Sequence, residues 1–278
     1  MLILLNLGVS GQIDTDRPNY TSSPNVVPSK SFQIETGYVM DRAGQAFCNG
    51  IQYFYSGSLN KTSLRYGLSE SLELRAGWDF RQNKIFEDHQ LIFRAIACTE
   101  TVPVYADLNH DTTIRTRGWA PWYVGVKRNI VRTKKISLGV IGQVYVPFGS
   151  TGIFRTDNVG LDVQLPFNWY ISDALTLAAQ SMMTWGGKGF GLESTNSLAL
   201  NYSPFNRWTC YMEGVYQYLG DVHANVLDVG LMFTPTDHIQ LDLIGGIGDD
   251  PRRLNQSGRG VFSSFGICWL FDAKSDQD

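Results

Sequence analysis

The sequence predicts an all-β fold: a transmembrane antiparallel up-and-down β-barrel of about twelve strands. Three observations carry this. Val159–Trp169 alternates apolar residues with small or polar ones without a break, so one face meets an oily phase and the other a wet one. The run outlasts a soluble strand of about 5–6 residues and matches the roughly 9–11 that a tilted strand needs to cross a bilayer. Short and long connections then alternate along the chain. Outer-membrane barrels show this, with short periplasmic turns and long external loops, whereas a soluble sandwich has no reason to sort its loops by parity.

The elements follow in order. Residues 1–11 resemble the tail of a secretory signal peptide. Leu2, Ile3, Leu4, Leu5, Leu7 and Val9 are apolar, but no positive stretch precedes them. Residues 12–30 read as a periplasmic lead-in, because Pro18, Pro24 and Pro28 among Ser, Asn and Thr disfavour regular structure. The barrel is placed at 31–271 and a polar tail at 272–278. Strands are expected near Ser31–Met40, Tyr55–Tyr66, Ser71–Phe80, Ala120–Val131, Ile136–Pro147, Val159–Ile171, Leu175–Trp185, Thr195–Tyr202, Trp208–Tyr218, Asn225–Phe233, Ile239–Ile247 and Gly260–Phe271. Short gaps lie at Gly67–Glu70, Arg132–Lys135, Ser172–Ala174, Ser203–Arg207 and Thr234–His238. Long ones lie at Asp41–Phe54, Arg81–Trp119, Phe148–Asn158, Gly186–Ser194 and Gly248–Arg259. Leu219–Ala224 is barely longer than a turn. Arg81–Trp119 holds two further apolar runs, Gln90–Cys98 and Thr101–Ala106. These either extend an outer hairpin, fold into the pore, or raise the count to about fourteen strands.

Composition agrees with this class. The chain has 278 residues, 43% hydrophobic, 13% aromatic, with 28 glycines and a formal charge of −3. No run approaches the 18 or more apolar residues of a spanning helix, and no basic stripe points to nucleic acid. Of the four cysteines, none are spaced for zinc or redox chemistry. Cys48 and Cys98 fall in expected outer loops, where an oxidising compartment permits pairing; two free thiols are the plainer reading. Trp119, Trp122, Trp169, Tyr170, Trp185, Tyr202, Trp208, Tyr218 and Trp269 cluster at strand ends, as interfacial girdles require.

Energy fixes the facing. A basic side chain on the lipid side at the bilayer midplane costs about 2–4 kcal/mol. In Ser71–Phe80 a one-residue slip would put Arg75, Glu73 and Asp79 there together. Charges therefore face in, and Leu72, Leu74, Trp78 and Phe80 face out. The same rule assembles a candidate pore lining: Glu35, Arg65, Glu73, Arg75, Asp79, Lys127, Gln143, Asp162, Gln164, Gln180, Glu213, Gln217, Asp228 and Asp242. Either these residues neutralise one another as a buried polar core, or they line a solute path. Arg65 and Arg75 flank one tight turn, with Glu35 and Glu73 at similar depth. An Arg–Glu cluster there has Asp14, Asp16 and Arg17 as candidate partners: either Ile13–Lys30 plugs the barrel partly from below, or the cluster merely stabilises the turn.

Several segments resemble one family: Asp14-Thr15-Asp16-Arg17-Pro18, Ser23-Pro24, Val27-Pro28, Phe32-Gln33-Ile34-Glu35-Thr36-Gly37, and Leu64-Arg65-Tyr66-Gly67-Leu68 running into Leu72-Glu73-Leu74-Arg75. The chain is similar to the outer-membrane β-barrel proteins of the meta-pathway of phenol degradation, a transporter family. The resemblance covers the first quarter and implies a barrel that admits small hydrophobic or aromatic compounds. It transfers no functional residues.

Catalytic signals are weak. His89, His110, His223 and His238 all fall in expected loops or turns, and no Ser–His constellation, H-E-x-x-H or phosphate loop is present. Asp107, Asn109 and Asp111 have the opening spacing of a calcium loop, but Thr112 stands where glycine is needed and no glutamate closes it. No catalytic residue, metal or cofactor is assigned. The expected role is a channel in the bacterial outer membrane for passive uptake of a small solute. Outer-membrane lipid and the outer-membrane assembly machinery are its expected partners. A lipid-acting barrel enzyme and a structural or adhesive barrel are the alternatives.

Overall fold

A computed structural model describes residues 13–17, 20–46, 52–88, 112–186, 192–219, 222–249 and 259–272. The strands are β1 (Phe32–Ala46), β2 (Gln52–Ser69), β3 (Leu72–Asp88), β4 (Thr112–Trp119), β5 (Trp122–Arg132), β6 (Ile136–Val146), β7 (Gly160–Ser172), β8 (Leu175–Trp185), β9 (Leu192–Phe205), β10 (Trp208–Leu219), β11 (Val222–Thr236), β12 (Ile239–Asp249) and β13 (Arg259–Phe271). All pairings between them are antiparallel. β1 pairs with both β2 and β13, and the ladder runs round to β5, which meets β3, which meets β2. The sheet is thus closed. β4 and β5 share one place in the wall, so the thirteen strands of the described residues fill twelve places.

The break between β4 and β5 has a local cause. Pro121 has no N–H to give the ladder. Gly77 pairs with Tyr123, yet Phe80 pairs with Trp119, so an extra residue bulges out there. Above the bulge, the free side of β4 is covered by the β6–β7 connection. Thr151 donates its N–H to the Trp119 carbonyl at 3.0 Å and accepts the Trp119 N–H on Oγ1 at 3.0 Å. A short 3-10 turn, Gly152–Phe154, follows. Pro166 sits within β7, where the β6–β7 ladder skips two positions but resumes in the same register, Leu138 with Phe167 and Ile141 with Gln164.

The structure lengthens the strands at one end. Asp41–Phe54 and Arg81–Trp119 are expected as loops, yet β1 continues to Ala46, β2 begins at Gln52, β3 continues to Asp88 and β4 occupies Thr112–Trp119. The outer hairpin extends; the apolar runs Gln90–Cys98 and Thr101–Ala106, His89, His110, the Asp107–Asp111 spacing, Cys48, Cys98 and residues 1–11 lie outside the described residues. Connections at the other end are short: residues 70–71, 133–135, 173–174, 206–207 and 237–238. These two ends are called the loop end and the turn end below.

The outer surface is apolar. Leu74, Val124, Val126, Leu165, Leu198, Met212, Leu227, Val229, Leu243, Ile247 and Phe265 are all exposed. The inner surface is where the polar side chains are buried. This inversion of a soluble core is the arrangement that lipid demands.

Candidate functional site

Alternation along each strand delivers the charged side chains to the inside. Glu35, Arg65, Glu73, Arg75, Lys127, Gln143, Asp162, Gln164, Gln180, Glu213, Asp228 and Asp242 are buried, while Asp79 and Gln217 are half-buried. They do not fill the interior alone. The lead-in enters from the turn end, crosses the lumen and returns to the same end.

Its path is fixed by hydrogen bonds to the wall. The Ile13 N–H reaches the Asp237 carbonyl, between β11 and β12, at 3.0 Å. Arg17 meets the Asp242 carboxylate of β12, Nη2 to Oδ1 at 3.2 Å, and Ser264 of β13 at 3.1 Å. The Tyr20 and Thr21 N–H groups donate to the two oxygens of Glu213 on β10, each at 2.8 Å. The Thr21 hydroxyl donates to the same carboxylate at 2.5 Å and lies 2.6 Å from the Ser197 hydroxyl of β9. The Ser22 N–H donates to Gln180 of β8 at 2.7 Å. The chain then swings back past β6 and β5. Ser137 donates to Asn25 at 3.1 Å, and the Asn129 amide donates to the Pro24 carbonyl at 3.1 Å. It leaves over β2 and β3, where the Val27 N–H donates to Glu73 at 2.8 Å.

One cluster dominates. Arg65 holds Glu73 with two parallel bonds, both 2.8 Å, and Glu35 with a third at 2.6 Å. Arg75 meets Asp16 Oδ2 at 2.7 Å, and Lys127 Nζ meets Asp16 Oδ1 at 2.8 Å. Arg65 and Arg75 face each other directly across β2 and β3, a placement that repels unless carboxylates intervene. The count balances only with the lead-in docked: Arg65, Arg75 and Lys127 against Glu35, Glu73 and Asp16. Burial opposes ionisation of Asp16. The positive charges of Arg65, Arg75 and Lys127 outweigh it and hold the carboxyl far below the usual carboxylate range.

Two glycines mark close approach. A side chain on Gly67 would run into the Pro28 and Val27 carbonyls, and one on Gly37 into the Arg17 guanidinium. The lead-in therefore lies flat against β2, and Arg17 flat against β1. Lys30, with φ of 62°, makes the left-handed corner that turns the lead-in into β1.

The candidate partners read from the sequence separate here. Asp16 joins the Arg–Glu cluster. Arg17 crosses instead to Asp242, and Asp14 offers its backbone carbonyl to Arg65 at 2.9 Å and its carboxylate to Asn25 at 2.8 Å. Lys127 as third cation of the cluster is not foreseen. Nor are Tyr123 and Tyr145, whose rings sit 5.8 Å apart on the inner wall, with Tyr145 donating to Asp162 at 2.8 Å. Their parity alone places them inside. Below the lead-in a cavity of about 1630 Å³ faces the turn end, lined by Thr15, Asn25, Asn168, Thr176, Asn201 and Gln240 among others.

The described histidines stand apart from the lumen. His238 meets Asp272 at 2.8 Å beside the β11–β12 turn, and His223 stacks on Tyr216 of the outer face.

Known proteins share this architecture. An outer membrane channel from Pseudomonas putida F1 superposes with a TM-score of 0.61 at 10% identity, covering 89% of this chain and 97% of that one. A KdgM porin in complex with disordered oligogalacturonate gives 0.52 at 11% identity, covering 86% and 99%. At such identities the likeness concerns the fold. No curated protein matches the sequence. A family model described as "Putative MetA-pathway of phenol degradation" matches residues 15–263. That match takes in the wall from β1 into β13 and most of the lead-in, and by it the chain belongs to this family of β-barrels.

Proposed function

We propose that the chain is an outer-membrane channel for passive uptake of small apolar or aromatic compounds, with the lead-in as a removable internal constriction. The observation that carries the reading is the closed barrel itself: apolar outside, polar inside, and crossed by a segment held mainly through hydrogen bonds and ion pairs, with one small apolar contact of Ile13 and Val27 against Cys268 and Leu270. The family description names phenol degradation, and the Pseudomonas putida F1 neighbour is an outer membrane channel. Both support uptake of a solute over a purely structural wall. The turn end then faces the periplasm, and residues 12–30 are a periplasmic segment whose described residues fold back into the lumen.

Glu35, Arg65, Glu73, Arg75, Lys127, Gln164, Gln180, Glu213 and Asp242 form the wall that the lead-in occupies. Asp79, Gln143, Asp162, Gln217 and Asp228 complete the lining. Tyr123, Tyr145 and Phe262 add aromatic faces to the inner wall on the loop side of the cluster, a surface on which a planar apolar solute slides without losing hydrogen bonds. The channel reading is favoured over an enzyme by the described histidines, His223 and His238, which stand off the inner wall.

Flux of a phenolic solute into liposomes holding the refolded protein tests this. Saturable, protein-dependent entry that increases when Asp16 is replaced by Ala is the expected result. Entry no faster than in empty liposomes, for both the native protein and Asp16→Ala, overturns it.

A further inference from the structure

We infer that the outer face of β1–β4, just beyond the aromatic belt at the loop end, is a binding site for a phosphorylated lipid headgroup of the outer leaflet. Register places the residues. On the lipid-facing positions, Tyr38, Asn60, Phe80 and Trp119 form one row across β1, β2, β3 and β4. Phe80 and Trp119 pack edge to face at 4.9 Å, and Tyr38 lies 5.8 Å from Phe265 of β13. The next row toward the loop end is Met40, Ser58, Gln82 and Arg117. The row after it is Arg42, Ser56, Lys84 and Arg115. Arg42, Lys84, Arg115 and Arg117 are all exposed.

Lys84 and Arg115 are direct cross-strand partners, and Arg117 is one row away. Strands stand about 4.8 Å apart and rows about 6.8 Å, so these four long side chains reach one common headgroup.

Three features make this a site and not scattered surface charge. The positive groups are concentrated on one side of the barrel. The lipid-facing positions near the loop end of β6, β8 and β10 carry Val144, Met183, Trp185, Tyr216 and Tyr218 instead. Within these three rows no carboxylate neutralises them: Asp41 and Asp79 take the inward parity, and Asp88, which shares the parity of Lys84, stands two rows further along β3. The site also begins where the apolar band ends. Ten residues separate outward Phe32 from outward Arg42, a rise of about 25 Å at the usual strand tilt, which is the height of the apolar band of such barrels. Guanidinium groups at that level meet phosphate oxygens with the paired geometry that a simple ammonium lacks. Acyl chains of the same lipid would lie on Tyr38, Met40, Phe80 and Trp119.

The test uses the full chain, refolded in neutral detergent, with lipid A as the probe. Lipid A is expected to bind with an affinity that falls steeply with salt. The fourfold variant Arg42→Gln, Lys84→Gln, Arg115→Gln, Arg117→Gln weakens it by more than about tenfold, since each cation near the surface contributes. Arg128→Gln, an outward cation at the opposite end, leaves it unchanged, and lipid A stripped of its phosphates binds no better to the native chain than to the fourfold variant. Should the fourfold variant fail to refold, Arg115→Gln with Arg117→Gln and the salt series carry the same test. Equal binding by native and variant chains, or equal binding of the dephosphorylated lipid, overturns the inference. So does full displacement by inorganic phosphate at equal concentration, which would identify a free-anion site. Solute flux through the lumen is a separate readout and is expected to be unaltered in all these variants.

Discussion

Asp16 is the residue on which the interior balances. Three cations, Arg65, Arg75 and Lys127, meet it or its neighbours in a water-poor setting, and Glu35 and Glu73 neutralise only part of their charge. Replacing Asp16 by Ala leaves a buried positive excess, a fault that typically costs about 3–5 kcal/mol. The lead-in is expected to lose its protection from protease while the barrel keeps its heat-modifiable mobility on gels. Acidification is a different matter. A carboxyl whose docked pKa is depressed contributes fully above its undocked value of about 3.9 and loses that contribution only as pH falls through the docked value. Lowering pH from 7 to 5 should therefore leave protease protection of the lead-in intact as far as Asp16 is concerned; release in that range would assign control to another group. Gly67→Ala pushes a methyl against the Pro28 and Val27 carbonyls and is expected to loosen the lead-in by about 1–3 kcal/mol, again with the barrel retained. Much of this cluster was legible. The T-D-R-P, F-Q-I-E-T-G, R-Y-G-L and E-L-R segments, scattered over the first quarter of the chain, meet at one point through Asp16, Gln33, Glu35, Arg65, Glu73 and Arg75, while Arg17 of the first segment turns away to Asp242. Lys127 was not, because nothing in the chain links a lysine on β5 to an aspartate in the lead-in except closure of the wall between them. Tyr123 and Tyr145 escaped for another reason: the lining was read from charged and amide side chains, whereas parity alone places these two rings inside.

Among the elements, the membrane-crossing parts of the strands follow the sequence closely and the parts beyond it do not. Lipid enforces alternation, so β7 from Gly160 to Trp169 is visible as a pattern. Above the apolar band both faces are wet, and a strand there is held by its backbone ladder alone; the continuation of β1 to Ala46 and of β3 to Asp88 leaves no periodic signature. The lead-in is likewise without pattern, since its structure is borrowed from the wall, residue by residue. Its mobility can be tested directly. Thr21 and Ser197 hydroxyls lie 2.6 Å apart, a separation compatible with a disulfide after replacement of both by cysteine. If passage requires the lead-in to move, the oxidised Thr21→Cys, Ser197→Cys protein should lose solute flux and regain it on reduction. Flux that persists while oxidised would make the lead-in a fixed constriction.

The whole molecule has its wall and its filling joined by the chain but not interlocked. Residue 13 and residues 29–31 both lie at the turn end, and nothing on the described path passes under a strand. The segment can thus be withdrawn and reinserted without opening the cylinder and without threading. Biogenesis then separates into two events: lipid drives the cylinder shut around water, and the lead-in seats afterwards from the aqueous side. Refolding followed by two probes should accordingly show a slow late step that reports on Asp16, is insensitive to bilayer thickness, and disappears when Asp16 is removed.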